Sequence, residues 1–157
     1  MEYTLAFNVF ISYSTNDIET VDKFRELLNN PIINVFVAEY SVVPGESLNE
    51  KIIPAIESCN IFLLLYSKSS QESEWVAKEI ELAKAKNKFI LPVMLDEEAV
   101  LPAYLGDIKY LPAHAKPEDA MQFVSTHISK QAEKTNSNSI LVGLLLGGAL
   151  LWLLTRS

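Results

Sequence analysis

Ile61-Phe62-Leu63-Leu64-Leu65-Tyr66 is a strand-length run of apolar residues. A polar loop, Ser67 to Ser73, follows it, and apolar residues at helical spacing then predict a helix from about Glu74 to Lys86. A short run that is apolar at every position is typical of a parallel strand covered by helices on both faces. This succession of strand, polar loop and helix therefore indicates the α/β class.

The same alternation continues on both sides of that unit. The other predicted elements are, in chain order, a strand from Leu5 to Ile11, a helix ending before Asn29, a strand from Ile33 to Ala38, a helix capped by Ser47 and weakened by Pro54, a strand from Phe89 to Leu95, a short edge strand from Asp107 to Leu111 and a helix from Pro117 to about Glu133. Alternating strands and helices favour a parallel sheet of about five strands with helices on both faces. Ligands of such sheets bind at the carboxyl ends of the strands, which here are the loops 12–17, 39–47 and 66–74.

Composition excludes several classes of partner and site. A formal net charge of -7 argues against nucleic acid, which requires a dense cluster of basic side chains. The single cysteine, Cys59, is expected to be a buried thiol. His114 and His127 stand far apart without other ligands nearby, so no metal site is predicted. No basic segment precedes Leu5, so a signal peptide is not expected and the folded part should lie in the cytoplasm.

The C-terminal end differs from the rest of the chain. Residues 1–134 are predicted to form the folded domain, 135–139 a polar linker and 140–155 a hydrophobic helix. The run from Ile140 to Leu154 would span about 22 Å as a helix, which is short of the roughly 30 Å hydrocarbon core. Trp152 and Arg156 could extend its reach at the interface. We predict a single-pass membrane anchor; the alternative is a soluble helix buried in an oligomer.

Three blocks of sequence carry a resemblance to the TIR (Toll/interleukin-1 receptor) domain, over about residues 5–134. The first is Asn8-Val9-Phe10-Ile11-Ser12-Tyr13-Ser14 with Asp17, the second runs from Val35 to Glu39 and on through Val43-Pro44-Gly45-Glu46-Ser47-Leu48, and the third joins Leu63 to Ser67 with Ser73-Glu74-Trp75-Val76-Ala77-Lys78-Glu79-Ile80. Asn8 stands where the family often has an acidic residue. The order and spacing of the blocks make the resemblance specific.

The resemblance implies a flavodoxin-like domain of three layers that cleaves NAD through Glu79. NAD would be the substrate, and no cofactor is expected. The residues expected to line the substrate site are Trp75, Phe10, Tyr13, Ser14, Phe36, Gly45 and Glu46. The family also implies self-association, a cyclic or linear ADP-ribose product, and a role in defence or cell-death signalling.

Helical spacing predicts where Glu79 lies. Trp75 and Glu79 are four residues apart and share one face, whereas Val76 and Ile80 belong to the adjoining stripe that should pack on the sheet. We therefore expect Glu79 one step off the buried face, bordering a cleft. Cleavage of the bond between ribose and nicotinamide develops an oxocarbenium-like charge that a nearby carboxylate stabilises. Nicotinamide leaves as a neutral group, so a general acid is not required.

Other interpretations stay open at this point. Trp75 can be ordinary packing on an amphipathic helix, and Glu79 a solvated charge. A TIR domain without catalytic activity could act as an adaptor that recruits partners at a membrane through the Pro44-Gly45 loop. A nucleoside deoxyribosyltransferase-like enzyme would share the architecture and a glutamate mechanism, although the block from Phe10 to Ser14 speaks against it.

Overall fold

A computed structural model describes residues 6–37 and 50–137. Their strands form one parallel sheet in the order β2-β1-β3-β4-β5. The strands are β1 (Phe7–Ser12), β2 (Ile33–Val37), β3 (Ile61–Tyr66), β4 (Ile90–Met94) and β5 (Leu111–Pro112). The predicted α/β class and parallel sheet are confirmed.

Helices cover both faces of this sheet. They are α1 (Ile18–Leu27), α2 (Ile52–Ser58), α3 (Lys68–Gln71), α4 (Glu74–Ala85) and α5 (Pro117–Ser137), and short 3₁₀ turns occupy Thr15–Asp17 and Ala103–Leu105. Buried residues of α1 and α5 pack on one face, and those of α2 and α4 on the other. The described residues therefore form three layers.

The central strand β3 explains why two separate clusters of apolar side chains exist. All its residues are buried, and alternate side chains point to opposite faces of a strand. Ile61, Leu63 and Leu65 join the cluster under α1 and α5, whereas Phe62 and Leu64 join the cluster under α2 and α4. This is the burial on both faces that the apolar run predicts.

Several element boundaries differ from the predictions. The fifth strand is Leu111–Pro112 instead of Asp107 to Leu111, and the predicted loop after β3 contains α3. Pro54 does not break α2, because it lies in the first turn of that helix, where its missing N–H would have no helical acceptor. Helix α5 continues to Ser137, so the predicted linker 135–139 begins within a helix.

Some sequence predictions fall on residues 1–5, 38–49 and 138–157, outside the described residues. They include the Ser47 helix cap, the substrate-lining roles of Gly45 and Glu46, and the hydrophobic helix 140–155. Among the helices that are described, none combines the length and apolar character that crossing a membrane requires.

Candidate active site

Glu79 lies on the buried side of α4. Ser73 caps this helix by accepting a hydrogen bond from the backbone N–H of Val76 at 3.3 Å. Glu79 is only 1% exposed, and Val76 and Ile80 of the same helix are fully buried. The carboxyl group therefore faces the interior at the contact between α4 and β1.

The hydroxyl group of Ser12 contacts this carboxyl directly. Ser12 ends β1, and its side chain points to the same face of the sheet as that of Phe10, towards α4. Ser12 Oγ donates a hydrogen bond to Glu79 Oε1 at 2.9 Å, and both residues are buried. Burying a carboxyl group is costly unless it is hydrogen-bonded, so this contact is a condition for Glu79 to lie there.

The expected position of Glu79, one step off the buried face, is wrong in its detail. Trp75 is half-buried, whereas Glu79 is as buried as the stripe that packs on the sheet. The buried face of α4 is wider than the apolar stripe suggests because the end of β1 offers it a hydrogen-bond donor. Trp75 lies one turn earlier, with Lys78 Nζ at 6.0 Å from its ring centroid.

Two polar loops meet beside Ser12 and Glu79. The loop after β1 and the loop after β3 come from neighbouring parallel strands, so they leave the same edge of the sheet. Ser67 Oγ donates a hydrogen bond to Asp17 Oδ2 at 2.5 Å, and Asn16 Nδ2 donates to Ser69 Oγ at 3.1 Å. These contacts join the loops across the carboxyl end of the sheet, where ligands of such folds bind.

The Asp17 carboxyl is held in an environment that disfavours its charge. Burial raises the pKa of Asp17, hydrogen bonds involving Ser67 and Ser70 oppose this change, and repulsion from Asp96 adds to it, so that the net shift is upward. Asp96 is nearby because its Oδ2 accepts the backbone N–H of Lys68 at 2.7 Å, at the start of α3.

The other predicted substrate-lining residues lie in different environments. Phe10 is fully buried, with its ring centroid 5.3 Å from that of Phe36 and 5.2 Å from that of Phe62. Tyr13 is buried in the cluster on the opposite face of the sheet. Ser14 caps the 3₁₀ turn by accepting a hydrogen bond from the backbone N–H of Asn16 at 3.4 Å. Direct contact of these side chains with a substrate stays a prediction.

Phe36 is half-buried and also borders a cavity of about 520 Å³ between β2 and α2. This cavity includes Cys59 and Asn8 in its wall, and neither Ser12 nor Glu79 borders it. Burial raises the pKa of the Cys59 thiol to about 11, so the thiol is protonated at neutral pH and is a poor nucleophile. The cavity is thus separate from the pair of Ser12 and Glu79.

Comparison with known proteins identifies the family of this domain. Residues 9–125 match the family model described as TIR domain. The chain belongs to the TIR domain family. Among curated proteins, this TIR domain is 31% identical to the "Probable 2' cyclic ADP-D-ribose synthase BdTIR" of Brachypodium distachyon, in a match that covers 49% of the chain. The match spans 36% of that relative, so it leaves most of the longer protein without a counterpart here.

Solved structures share the fold. The TIR domain of the Toll-related receptor TRR-2 from Hydra magnipapillata superposes with a TM-score of 0.60 at 21% identity, covering 80% of this chain and 97% of that one. A 2-desoxiribosyltransferase from Leishmania mexicana superposes with a TM-score of 0.55 at 15% identity, covering 77% and 98%. The flavodoxin-like sheet is therefore common to TIR domains and to at least one glycosyl-transferring enzyme.

Sequence reasoning did not single out Ser12 and Ser67. Both are the small polar residues at or just after the ends of apolar strands, where side chains reach the ligand-binding edge of a parallel sheet. This position at the end of an apolar strand is the feature of the sequence that could have identified Ser12 as a site residue. Its partner could not be predicted, because the two residues are 67 positions apart in the sequence.

We expect Ser12→Ala to lower the free energy of unfolding of the TIR domain by about 1 to 3 kcal/mol, because it removes the hydroxyl donor to a buried carboxyl. Ser125→Ala is a matched control: Ser125 is also buried, but its Oγ has no hydrogen-bond partner among the described residues. The control should be neutral or stabilising. Urea denaturation measures both effects. Equal stability of the two variants would contradict the importance of the Ser12 contact.

The raised pKa of Asp17 predicts a pH dependence of stability. Between the ordinary pKa of 3.8 and the raised folded-state pKa, the native protein binds more protons than the unfolded chain. The stability that Asp17 contributes is thus fully present below 3.8 and is lost as the pH rises through the folded pKa. Compared with Asp17→Asn, the wild type should become progressively less stable across this window. Urea denaturation from about pH 4 to pH 7 tests this, and a difference that grows in the opposite direction would refute it.

Proposed function

We propose that this TIR domain cleaves the bond between nicotinamide and ribose in NAD, with Glu79 as the catalytic residue. The observation that supports this most is the buried carboxyl of Glu79, fixed by Ser12 at the carboxyl end of β1. A titratable group that is buried at the ligand-binding edge of a parallel sheet, with a defined partner, is typical of functional sites.

The chemistry needs only one carboxylate. The C1′–N bond breaks and its electron pair stays on the nicotinamide nitrogen, which neutralises the pyridinium ring. The ribose that remains carries oxocarbenium-like positive charge, and the Glu79 carboxylate stabilises it and accepts hydrogen bonds from ribose hydroxyls. Water then adds at C1′ and releases a proton, giving ADP-ribose. In a cyclase, a nucleophile of ADP-ribose itself would replace water.

The low exposure of Glu79 strengthens the electrostatic interaction of its carboxylate with the ribose cation. In a site shielded from water, the electrostatic interaction between a carboxylate and a developing cation is stronger than in bulk solvent. The half-buried Trp75, one turn away on α4, extends this shielding and offers a flat ring to a base. Glu79 at 1% exposure requires a substrate-induced opening or a rotamer change for direct contact with ribose.

The Brachypodium relative, named as a probable 2' cyclic ADP-D-ribose synthase, supports the same reaction class. We place the activity in defence or cell-death signalling, as the family membership suggests, and propose that self-association activates it. Linear and cyclic ADP-ribose both remain candidate products. A non-catalytic adaptor would bind partners and leave NAD intact, whereas a deoxyribosyltransferase would exchange the base of a deoxynucleoside.

Glu79→Gln is expected to lower nicotinamide release from NAD by about 100-fold or more, because it removes the stabilising charge and keeps the side-chain shape. The amide oxygen can still accept the hydrogen bond of Ser12, so the fold should persist. Glu81→Gln, an exposed change on the same helix, should retain wild-type activity. Chromatography of nicotinamide and ADP-ribose products, at several protein concentrations, provides the measurement.

Three outcomes separate the candidate functions. Retained activity of Glu79→Gln would show that another residue carries the reaction. Intact NAD with wild type at every concentration would favour the adaptor. Base exchange with a deoxynucleoside, without hydrolysis of NAD, would favour the transferase.

We further propose that residues 140–155 anchor the chain in a membrane, with the TIR domain on the cytoplasmic side. The anchor is supported by the uninterrupted apolar run from Ile140 to Leu154 within that segment. The chain of residues 1–157 should float with liposomes in a density gradient, and a chain lacking residues 140–157 should remain at the bottom. Flotation of neither protein would exclude the anchor.

A further inference from the structure

We propose that Asp17 and Ser67 are positioning residues. Their hydrogen bond joins the loop after β1 to the loop after β3 and thereby keeps Ser12 and Glu79 at hydrogen-bond distance from each other. This inference rests on the proposed NAD cleavage and extends it to residues that do not touch the reacting atoms. We call the pair of Asp17 and Ser67 the loop latch.

The first half of the argument concerns the loop after β1. Ser12, which binds Glu79, is the last residue of β1, and the chain turns immediately afterwards. The backbone N–H of Asp17 donates to Ser14 O at 2.8 Å, which closes the 3₁₀ turn Thr15–Asp17. This turn fixes Asp17 relative to Ser14, two residues after Ser12, so a shift of Asp17 would displace the chain next to the end of β1.

The second half concerns the loop after β3. Ser67 caps α3 in a reciprocal pair with Ser70: the backbone N–H of Ser70 donates to Ser67 Oγ at 3.2 Å, and that of Ser67 to Ser70 Oγ at 3.0 Å. Ser70 Oγ also donates to Leu65 O at 3.0 Å, which ties the pair to β3.

This capped turn leads directly into the helix that carries Glu79. The backbone N–H of Ser73 donates to Ser70 O at 3.1 Å, and the Ser73 side chain caps α4. A displacement of Ser67 would therefore shift the start of α4. The loop latch joins the two segments on which Ser12 and Glu79 are mounted, and this makes it a positioning contact.

The latch is built as a strong contact. Its donor and acceptor atoms are 2.5 Å apart, as expected for a hydroxyl donating to a carboxylate, and Ser67 is buried. Another bond between the loops, from Asn16 Nδ2 to Ser69 Oγ, is longer at 3.1 Å and solvent-exposed. Ser69 is thus a matched control: it is the same residue type, lies two positions after Ser67 and is joined to the same loop.

Loss of the latch should affect turnover more than substrate binding. A misplacement of about 1 Å in a catalytic group can lower a rate by about 100-fold. We expect Ser67→Ala to lower kcat for NAD by at least about 10-fold with KM within about twofold, and Ser67→Thr, which keeps the hydroxyl, to recover most of the loss. Ser69→Ala should keep kcat within about threefold of wild type.

Substitution of Asp17 tests whether Asp17 and Ser67 act through one shared contact. Asp17→Ala should also lower kcat, and the loss in the double variant Asp17→Ala/Ser67→Ala should be smaller than the two single losses combined, because both changes break the bond between Asp17 and Ser67. Additive losses in kcat would show that the two residues act separately and would overturn the latch. If Ser67→Ala fails to fold, Ser67→Thr and Asp17→Ala still decide the question.

Hydrogen exchange of the full chain gives a readout that does not depend on activity. Backbone amides of residues 12–18 should exchange faster in Ser67→Ala and Asp17→Ala than in wild type. Their exchange rates in Ser69→Ala should equal those of wild type. Wild type that leaves NAD intact would overturn the proposed function, while exchange would still test the latch. Active wild type with unchanged kcat and exchange in Ser67→Ala would overturn the latch alone.

Discussion

The hydrogen bond from Ser12 to Glu79 is the contact on which the account of this TIR domain depends. It lies where the last residue of a central strand meets the inner face of α4, and both partners are buried. An apolar residue at position 79 would pack there without any partner, so a carboxyl group at this position is not a requirement of the fold. Its presence, at the edge of the sheet where ligands bind, is what favours a chemical role.

The surrounding structure serves to keep this contact in place. Strand β3 supplies a fully buried centre that fixes both layers of helices, and its last residues continue into the capped turn before α4. The loops after β1 and β3 are joined to each other by side chains of Asp17 and Ser67. Polar contacts therefore join the carboxyl ends of β1 and β3 to each other and to α4, while apolar packing forms the two clusters on the faces of the sheet.

The sequence predicted the fold well and the site only partly. The run from Ile61 to Tyr66 predicts a buried parallel strand because burial on both faces demands apolar residues at every position. Glu79 was identified through the family resemblance, but its burial was not, since this depends on a serine 67 positions away. The short helix α3 was missed, and the edge strand β5 was predicted with the wrong bounds, for a related reason: tertiary contacts, and not local periodicity, define such brief elements.

The central claim is that the carboxyl at position 79 meets the ribose next to nicotinamide. A crystal structure of the Glu79→Gln variant soaked with NAD tests this most directly, because slow turnover should leave the substrate intact. The account predicts the ribose hydroxyls within hydrogen-bond distance of the side chain at position 79, beside Ser12 and Trp75. Binding of NAD elsewhere on the domain, with this side chain still enclosed and remote from the ribose, would contradict it.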